Sequence, residues 1–283
     1  MVTITVAGSV NLDLVATAPA LPRPGETVTG ARLARYPGGK GANQALAARR
    51  LGADVALCAA VGDDAVADEA LALLRAEDVD LSALQVCADT PTGMALIAVA
   101  PDGENQIVVA PGANAAFRQP ARLPAADALI CQLELPVAAV TATAQAFDGF
   151  VCLNPAPARA VPDALLARAD LIVVNETEDA FYGAQLDLCR GLIARTYGRA
   201  GAAMFKDGRE IARVPGLTVN SIDATGAGDC FTAALVLALL EKMDDDTALA
   251  FACRAAAFST TLSGAQTSFP TRRQVDSMAA AGT

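Results

Sequence analysis

The chain has 283 residues, 53% of them hydrophobic, which is enough for one large core and excludes a mainly disordered chain. Its 21 Lys and Arg against 31 Asp and Glu leave a net charge of −10, which argues against nucleic-acid binding. No His is present, so Ser-His-Asp and Cys-His catalysis and imidazole metal sites are excluded; with aromatics at 4% and no Trp, platforms for stacking a base are few.

In chain order, Val2–Ala7 alternates with period two and predicts a strand rather than a signal peptide, since no Lys or Arg precedes Arg23. Asp13–Tyr36 is rich in Pro and Gly and lacks a helix, with strand character at Glu26–Thr29. Ala42–Leu51 predicts a helix stopped by Gly52, Val55–Val61 a strand and Ala65–Ala76 an amphipathic helix. Gly93–Val109 holds two alternating runs, Met94–Val99 and Gln106–Val109, around a turn at Pro101–Gly103. Strands follow at Ala128–Leu133, Phe150–Leu153 and Leu171–Val174, with a helix at Val137–Phe147. Helices at Cys230–Lys242 and Ala248–Leu262 lead to a tail, Ser277–Thr283, expected to fray. Strands alternating with helices predict an α/β protein with a mostly parallel sheet and helices on both faces, as a single domain over 1–283. The helix-free segments, about 13–36 and 93–110, predict a small sheet outside that core, either a lid or an edge used for dimerisation. The longest apolar run, Cys230–Leu240, is too short to span a bilayer, so no membrane partner is expected. The seven Cys at 58, 87, 131, 152, 189, 230 and 253 show no CxxC spacing, which predicts reduced thiols in a cytoplasmic protein.

Polar clusters interrupt these elements where chemistry is expected. Ile222–Asp229 ends in a Gly-x-Gly turn that feeds an apolar helix, placing unpaired amides and the positive end of the helix dipole at one point. That point suits an anion such as a phosphoryl group, and Asp229 is there either as a helix cap, worth about 1 kcal/mol, or as a general base. No Lys-Ser/Thr pair follows, so this is not a Walker A loop. Tyr36–Gln44 carries Gly38, Gly39 and Gly41, with Lys40 and Asn43 as donors to hydroxyls or phosphates; a flexible turn with a solvated Lys is the alternative. Gly8–Asp13 ends the first strand, where α/β ligands bind, and Asn11 and Asp13 point the same way, either to grip vicinal hydroxyls or as an Asx-turn. In Val174–Glu178, Glu178 either pairs with Asn175 as a cap or holds Mg2+ through water.

Taken together, Gly38–Asn43, Asn175–Glu178 and Asp223–Asp229, in this order and spacing, resemble the PfkB-type sugar kinases, and within them the ribokinase group. The runs GSVNLD at 8–13, PGETVTG at 24–30, GGKGANQA at 38–45, GDD at 62–64, TGMALI at 92–97, PGANAA at 111–116, QLE at 132–134 and LNPAPAR at 153–159 fit the same pattern, from Val6 to about Pro270. The resemblance implies a doubly wound, ribokinase-like α/β fold with a small β-sheet lid, and ATP-dependent phosphorylation of D-ribose at its 5-hydroxyl. It implies that Asp229 is the general base, that Gly226, Ala227 and Gly228 form the anion hole, and that Asn11, Asp13, Gly38, Gly39, Lys40, Asn43 and Glu134 grip the sugar. For ATP it implies Asn175, Thr196, Gly198, Arg199, Gly201, Gly228 and Cys253, with Glu178 near Mg2+. A K+ activator site maps to Asp223, Thr225, Ser259, Leu262, Gly264 and Ser268, and a homodimer through the lid sheet is expected.

The chain departs from the family between Glu178 and Thr196, where it is short. Leu188–Thr196 must then supply a strand, with Arg195 unusual for a buried one and Tyr197 where the family has Leu. This predicts a lost core helix beside the nucleotide site and impaired ATP binding. Cys253 stands where His or Asn is frequent in the group, which predicts a loose base preference. The alternatives are a kinase of deoxyribose, a ketohexose or a nucleoside, and a non-catalytic binder that has lost turnover through the shortened region. A NAD(P) oxidoreductase is disfavoured, because no Gly-x-Gly-x-x-Gly follows the first strand.

Overall fold

A computed structural model describes residues 1–281. The first strand, β1 (Thr3–Ala7), runs through Gly8–Val10 straight into β2 (Asn11–Thr17). β3 (Arg32–Gly38) then opens onto helix α1 (Lys40–Arg50). There follow β4 (Asp54–Cys58), β5 (Ala60–Gly62), α2 (Ala65–Ala70), α3 (Ala72–Ala76), β6 (Gln85–Cys87), β7 (Gly93–Val99) and β8 (Asn105–Ala110). The second half holds β9 (Ala128–Cys131), α4 (Val137–Gln145), β10 (Phe150–Leu153), α5 (Asp163–Arg168), β11 (Leu171–Asn175), α6 (Glu176–Tyr182), β12 (Leu192–Thr196), β13 (Gly201–Lys206), β14 (Arg209–Pro215), α7 (Ala227–Leu240), α8 (Asp245–Ser259) and α9 (Arg272–Ala281).

The main sheet has eight strands in the order β14-β13-β12-β11-β10-β9-β1-β4. From β12 to β4 every pair is parallel; β13 and β14 run antiparallel at the edge. Alternate residues feed two cores. Ala128, Ile130, Cys152 and Val173 face one core with α1, α7 and α8. Leu129, Cys131, Val151 and Ile172 face the other with α4, α5 and Leu186. Burial on both faces is why these strands read as continuous apolar runs, and it confirms the expected doubly wound layers. Helix α7 packs against both α1 and α8 and is buried from Asp229 to Ala238, so its sequence is apolar all round rather than on one stripe.

The two helix-free segments meet in one sheet, ordered β3-β2-β7-β8. β2 pairs with β7 in parallel and with β3 in antiparallel, an arrangement that joins residues about 80 positions apart, such as Asp13 and Ala95. The expected strand at Glu26–Thr29 does not form; that stretch is an exposed loop, because no neighbouring strand is there to pair with it. The expected strand Val55–Val61 divides at Ala59, where β5 leaves the main sheet to pair with β6. The expected helix Ala65–Ala76 flattens at Leu71, although hydrogen bonds from Leu71 N to Ala67 O (3.0 Å) and Arg75 N to Leu71 O (3.0 Å) continue across it. Helix α8 begins earlier than expected, capped by Asp244, and ends at Ser259 rather than Leu262. Residues 277–281, expected to fray, are the end of α9; 282–283 lie outside the described residues. No helix among the described residues is long and apolar enough to cross a membrane. All seven cysteine thiols are unpaired.

The shortened region after Glu178 supplies the expected strand, as β12. Helix α6 passes through a 3-10 segment at Gly183–Leu188 directly into β12. Arg195 lies on the same face as Ile193, toward α6, where its Nε donates to Asp179 Oδ1 at 2.7 Å and its guanidinium carbon stands 4.4 Å over the Phe205 ring. This half-exposed stack covers part of the β12–β13 face beside α6. It sits on the side of the sheet away from α7 and α8.

Candidate active site

The polar clusters converge at the carboxyl ends of β1, β9, β10 and β11, where strand order reverses between β1 and β9, the usual ligand crevice of such sheets. Ser9, just after β1, donates its hydroxyl hydrogen to Glu134 Oε2, just after β9. The same oxygen accepts the Lys40 amide at 3.1 Å. The glycines before Lys40 are required by this crossing. Gly39 has φ +89°, and a Cβ there would stand 2.8 Å from both Ser9 O and Asn11 N. A Cβ on Gly38 would strike the Asp13 carboxylate at 2.3 Å. Asn11 and Asp13 lie on one face of β2, as alternation requires. Asn114, expected only as part of a motif, is buried and fixes this corner: its amide bonds Val10 N and O at 3.0 Å each and donates to Asn11 Oδ1 at 2.8 Å.

Asp229 closes the pocket from the first turn of α7. It is 5% exposed, and each carboxylate oxygen takes an amide from α1, Oδ2 from Asn43 Nδ2 and Oδ1 from Gln44 Nε2, both at 2.9 Å. The pocket concentrates acid around one base. The Lys40 ammonium is held above its ordinary value chiefly by Asp229, with Glu134 and Glu178 adding and burial opposing. Asp13 is pushed up to about 7 by burial first, then by Glu134 and Asp229. Burial also raises Glu178, against the Asn175 amide and Lys40. An arrangement of several acceptors, two amides and one ammonium is suited to a neutral polyol, whose hydroxyls both donate and accept. Asp229 is the member placed to take a proton from one of them.

The residue before Asp229 faces elsewhere. Gly228 lines a separate cleft of about 420 Å³, together with Thr196, Gly198, Arg199, Gly201 and Cys253 of the expected nucleotide set. Leu217, Val219 and Phe231 supply its apolar wall. Gly226 starts α7 in the left-handed region, φ +77°, and a Cβ there would meet Ala265 Cβ at 2.8 Å, so the turn that aims the helix amides needs glycine. Asn175 is not among the residues lining the cleft: its Oδ1 accepts the Glu178 amide while Glu178 Oε2 accepts the Asn175 amide, both at 2.9 Å, a reciprocal cap on α6. The cap reading of this pair is therefore realised.

The residues mapped to K+ are partly brought together. Asp223 accepts the amides of Thr225 (2.9 Å) and Gly264 (2.8 Å) through different oxygens. The Ser259 and Ser268 hydroxyls instead donate to carbonyls three residues back, at 2.8 Å, and Leu262 is exposed. No group of three or more His, Cys, Asp or Glu among the described residues suits a metal ion, so a cation would rest on carbonyl oxygens and water here.

Sequence reasoning overlooked the amides behind the carboxylates. Gln44, Gln132 and Asn154 are buried and bonded to one another, and Gln266 Nε2 reaches Asn43 Oδ1 at 3.2 Å. Their signal was present: each of the first group stands inside a motif, polar at the end of an apolar run.

Comparison with known proteins follows this geometry. Residues 1–272 match the model of the pfkB family carbohydrate kinases. The chain is 38% identical over 296 aligned positions to a ribokinase from Haemophilus influenzae, covering 96% of each. Among solved structures it is similar to a ribokinase from Thermotoga maritima (TM-score 0.89, 30% identity, 99% of this chain and 100% of that one). It is also similar to an Arabidopsis thaliana ribokinase complexed with ribose and ATP (TM-score 0.89, 28% identity, 98% and 99%).

Proposed function

Because this chain belongs to the pfkB family of carbohydrate kinases and is an ATP-dependent sugar kinase, we propose that it transfers the γ-phosphoryl group of ATP to the 5-hydroxyl of D-ribose, giving ribose 5-phosphate and ADP. The observation that carries this reading is the adjacency of Gly228 and Asp229. Successive residues at one helix start face the nucleotide cleft and the polyol pocket, so the two substrates meet across the first turn of α7.

In this reading Asn11, Asp13, Lys40, Asn43 and Glu134 orient the sugar, with Gly38 and Gly39 letting the backbone approach. Asp229 accepts the proton of the 5-hydroxyl as that oxygen bonds to the γ-phosphorus and the bond to the ADP oxygen breaks. The Gly226–Gly228 turn presents α7 amides to the charge that develops on the phosphoryl oxygens. Phosphoryl transfer depends mainly on positioning and charge neutralisation, so a chain without His is equipped for it. Glu178, a buried carboxylate under the electrostatic influence of Asp229 and Lys40, is the group that would hold a water-bound Mg2+, which when bound would neutralise phosphate charge. The hard oxygens around Asp223 and Gly264 fit K+. The small sheet serves as the lid that excludes water from the sugar. Leu33, Leu96 and Val108, which share one face of that sheet and are 67%, 50% and 65% exposed, would be covered by a second copy in a homodimer.

ADP production with ATP, Mg2+ and K+ across ribose, deoxyribose, fructose and adenosine tests the reaction. Ribose-dependent turnover that disappears in Asp229→Asn is the expected result. Preference for another acceptor overturns the substrate, and full turnover by Asp229→Asn overturns the base.

A further inference from the structure

Behind Asp229 lies a line of fully or nearly buried amides whose orientation is set by a single backbone carbonyl. Asn154, after β10, donates Nδ2 to Val173 O on β11 at 3.0 Å. That fixes its Oδ1 toward Gln44, whose Nε2 donates to it at 3.1 Å. Gln44 therefore presents its amide nitrogen to this side and its oxygen to the other, where Gln132 Nε2, after β9, donates to it. One hydrogen on Gln44 Nε2 is taken by Asn154, so the other points at Asp229 Oδ1, 2.9 Å away. A flipped Gln44 would set its oxygen against a carboxylate and a carbonyl oxygen, leaving buried acceptors unpaired. Gln44 and Gln132 are 0% exposed and Asn154 is 7% exposed, so bulk solvent does not compete for these bonds.

We infer that Gln44 is a positioning residue for phosphoryl transfer: held by Asn154 and Gln132, it locks the rotation of the Asp229 carboxylate so that its proton-accepting edge faces the sugar hydroxyl. This rests on the reading of Asp229 as the base. Asn43 takes the other carboxylate oxygen and is 6% exposed, whereas Gln44 is 0% exposed and lies between Asp229 and Asn154. The sheet thus carries the orientation of β11 through two side chains, Asn154 and Gln44, to Asp229 Oδ1. Small errors in the placement of a reacting group cost up to about 100-fold in rate, so the lock acts on turnover rather than on sugar binding.

The test compares Gln44→Met, which keeps the length of the side chain and removes its amide, in the wild-type and in the Asp229→Ala background. Ribose affinity is read from the ribose-induced thermal shift, which also reports folding. In the wild-type background kcat is expected to fall about 10- to 100-fold while the ribose Kd stays within about threefold. In the Asp229→Ala background the same substitution is expected to change residual turnover by less than about twofold, because the group it acts through is gone. Gln132→Met, which removes only the support of Gln44, is expected to lower kcat less and in the same background-dependent way, and it carries the test if Gln44→Met does not fold. An equal loss in both backgrounds, or an unchanged kcat in a folded Gln44→Met protein, overturns the inference while leaving the base in place. Full turnover by Asp229→Ala overturns the base reading itself, and the inference with it.

Discussion

The cluster around Asp229, proposed to take the sugar, and the cleft beside Gly228, proposed to take ATP, adjoin at one helix turn and are built in opposite ways. The pocket is made of side chains: Asp229, Lys40, Glu134 and Asp13 come from four distant segments, and buried amides hold them. The cleft is made largely of backbone and small residues from two loops and the α7–α8 faces, with glycines at 198, 201, 216 and 228. Substitution in the pocket therefore removes a chemical group with a defined role. In the cleft it mostly changes shape. The shortened segment packs through Asp179 and Arg195 against Phe205, on the face of the sheet opposite α7 and α8.

The largest effect expected is that of Asp229→Asn, which should lower kcat by about 10²–10⁴-fold with ribose binding nearly intact; single-turnover kinetics beside a ribose thermal shift check it. Next, Lys40→Ala or Asp13→Ala should raise the ribose KM by about 10- to 100-fold and leave the ATP KM alone, since charged hydrogen bonds to the polyol are lost. An effect confined to ATP would erase the division between the regions. Cys253→Phe should do the reverse, raising the ATP KM about tenfold by filling the cleft.

A pH effect sharpens the same contrast, because only the pocket holds carboxylates raised by burial. Asp13 titrates at its ordinary 3.8 when unfolded and at about 7 when folded. Between those values the folded chain keeps a proton that the unfolded chain releases. Stability from this group is thus full below about 4, falls as pH rises, and levels off above about 7, with a slope of at most about 1.4 kcal/mol per pH unit. Glu178 is raised in the same direction. Denaturant midpoints measured from pH 4.5 to 8 should show that slope, and Asp13→Asn should flatten it. The smallest effect belongs to Arg195→Ala. Its half-exposed pair with Asp179 and its contact with Phe205 are worth about 1 kcal/mol together, and the ATP KM should not change.

Much of this molecule was legible in the chain because local rules wrote it. Continuous apolar runs marked the strands from β9 to β11, since a strand buried on both faces has no polar alternation. Gly39 and Gly226 marked the helix starts, because glycine fits a left-handed turn pressed against backbone at Ser9–Asn11 in the first case and against the Ala265 and Phe269 side chains in the second. Residue types alone left Asp229 as either cap or base and Lys40 as either donor or solvated turn residue, and only the family resemblance chose between them. What the sequence did not determine was pairing over distance. The Glu26–Thr29 run has strand propensity and no partner, so it stays a loop, while β2 and β7, far apart in sequence, found each other across the crevice. Nor did it reveal what Gln44 does, because a glutamine has no function until the tertiary structure sets a carbonyl on one side of it and a carboxylate on the other. Propensity and glycine geometry act within a few residues, whereas hydrogen-bond direction and carboxylate burial depend on which strand ends the fold brings side by side.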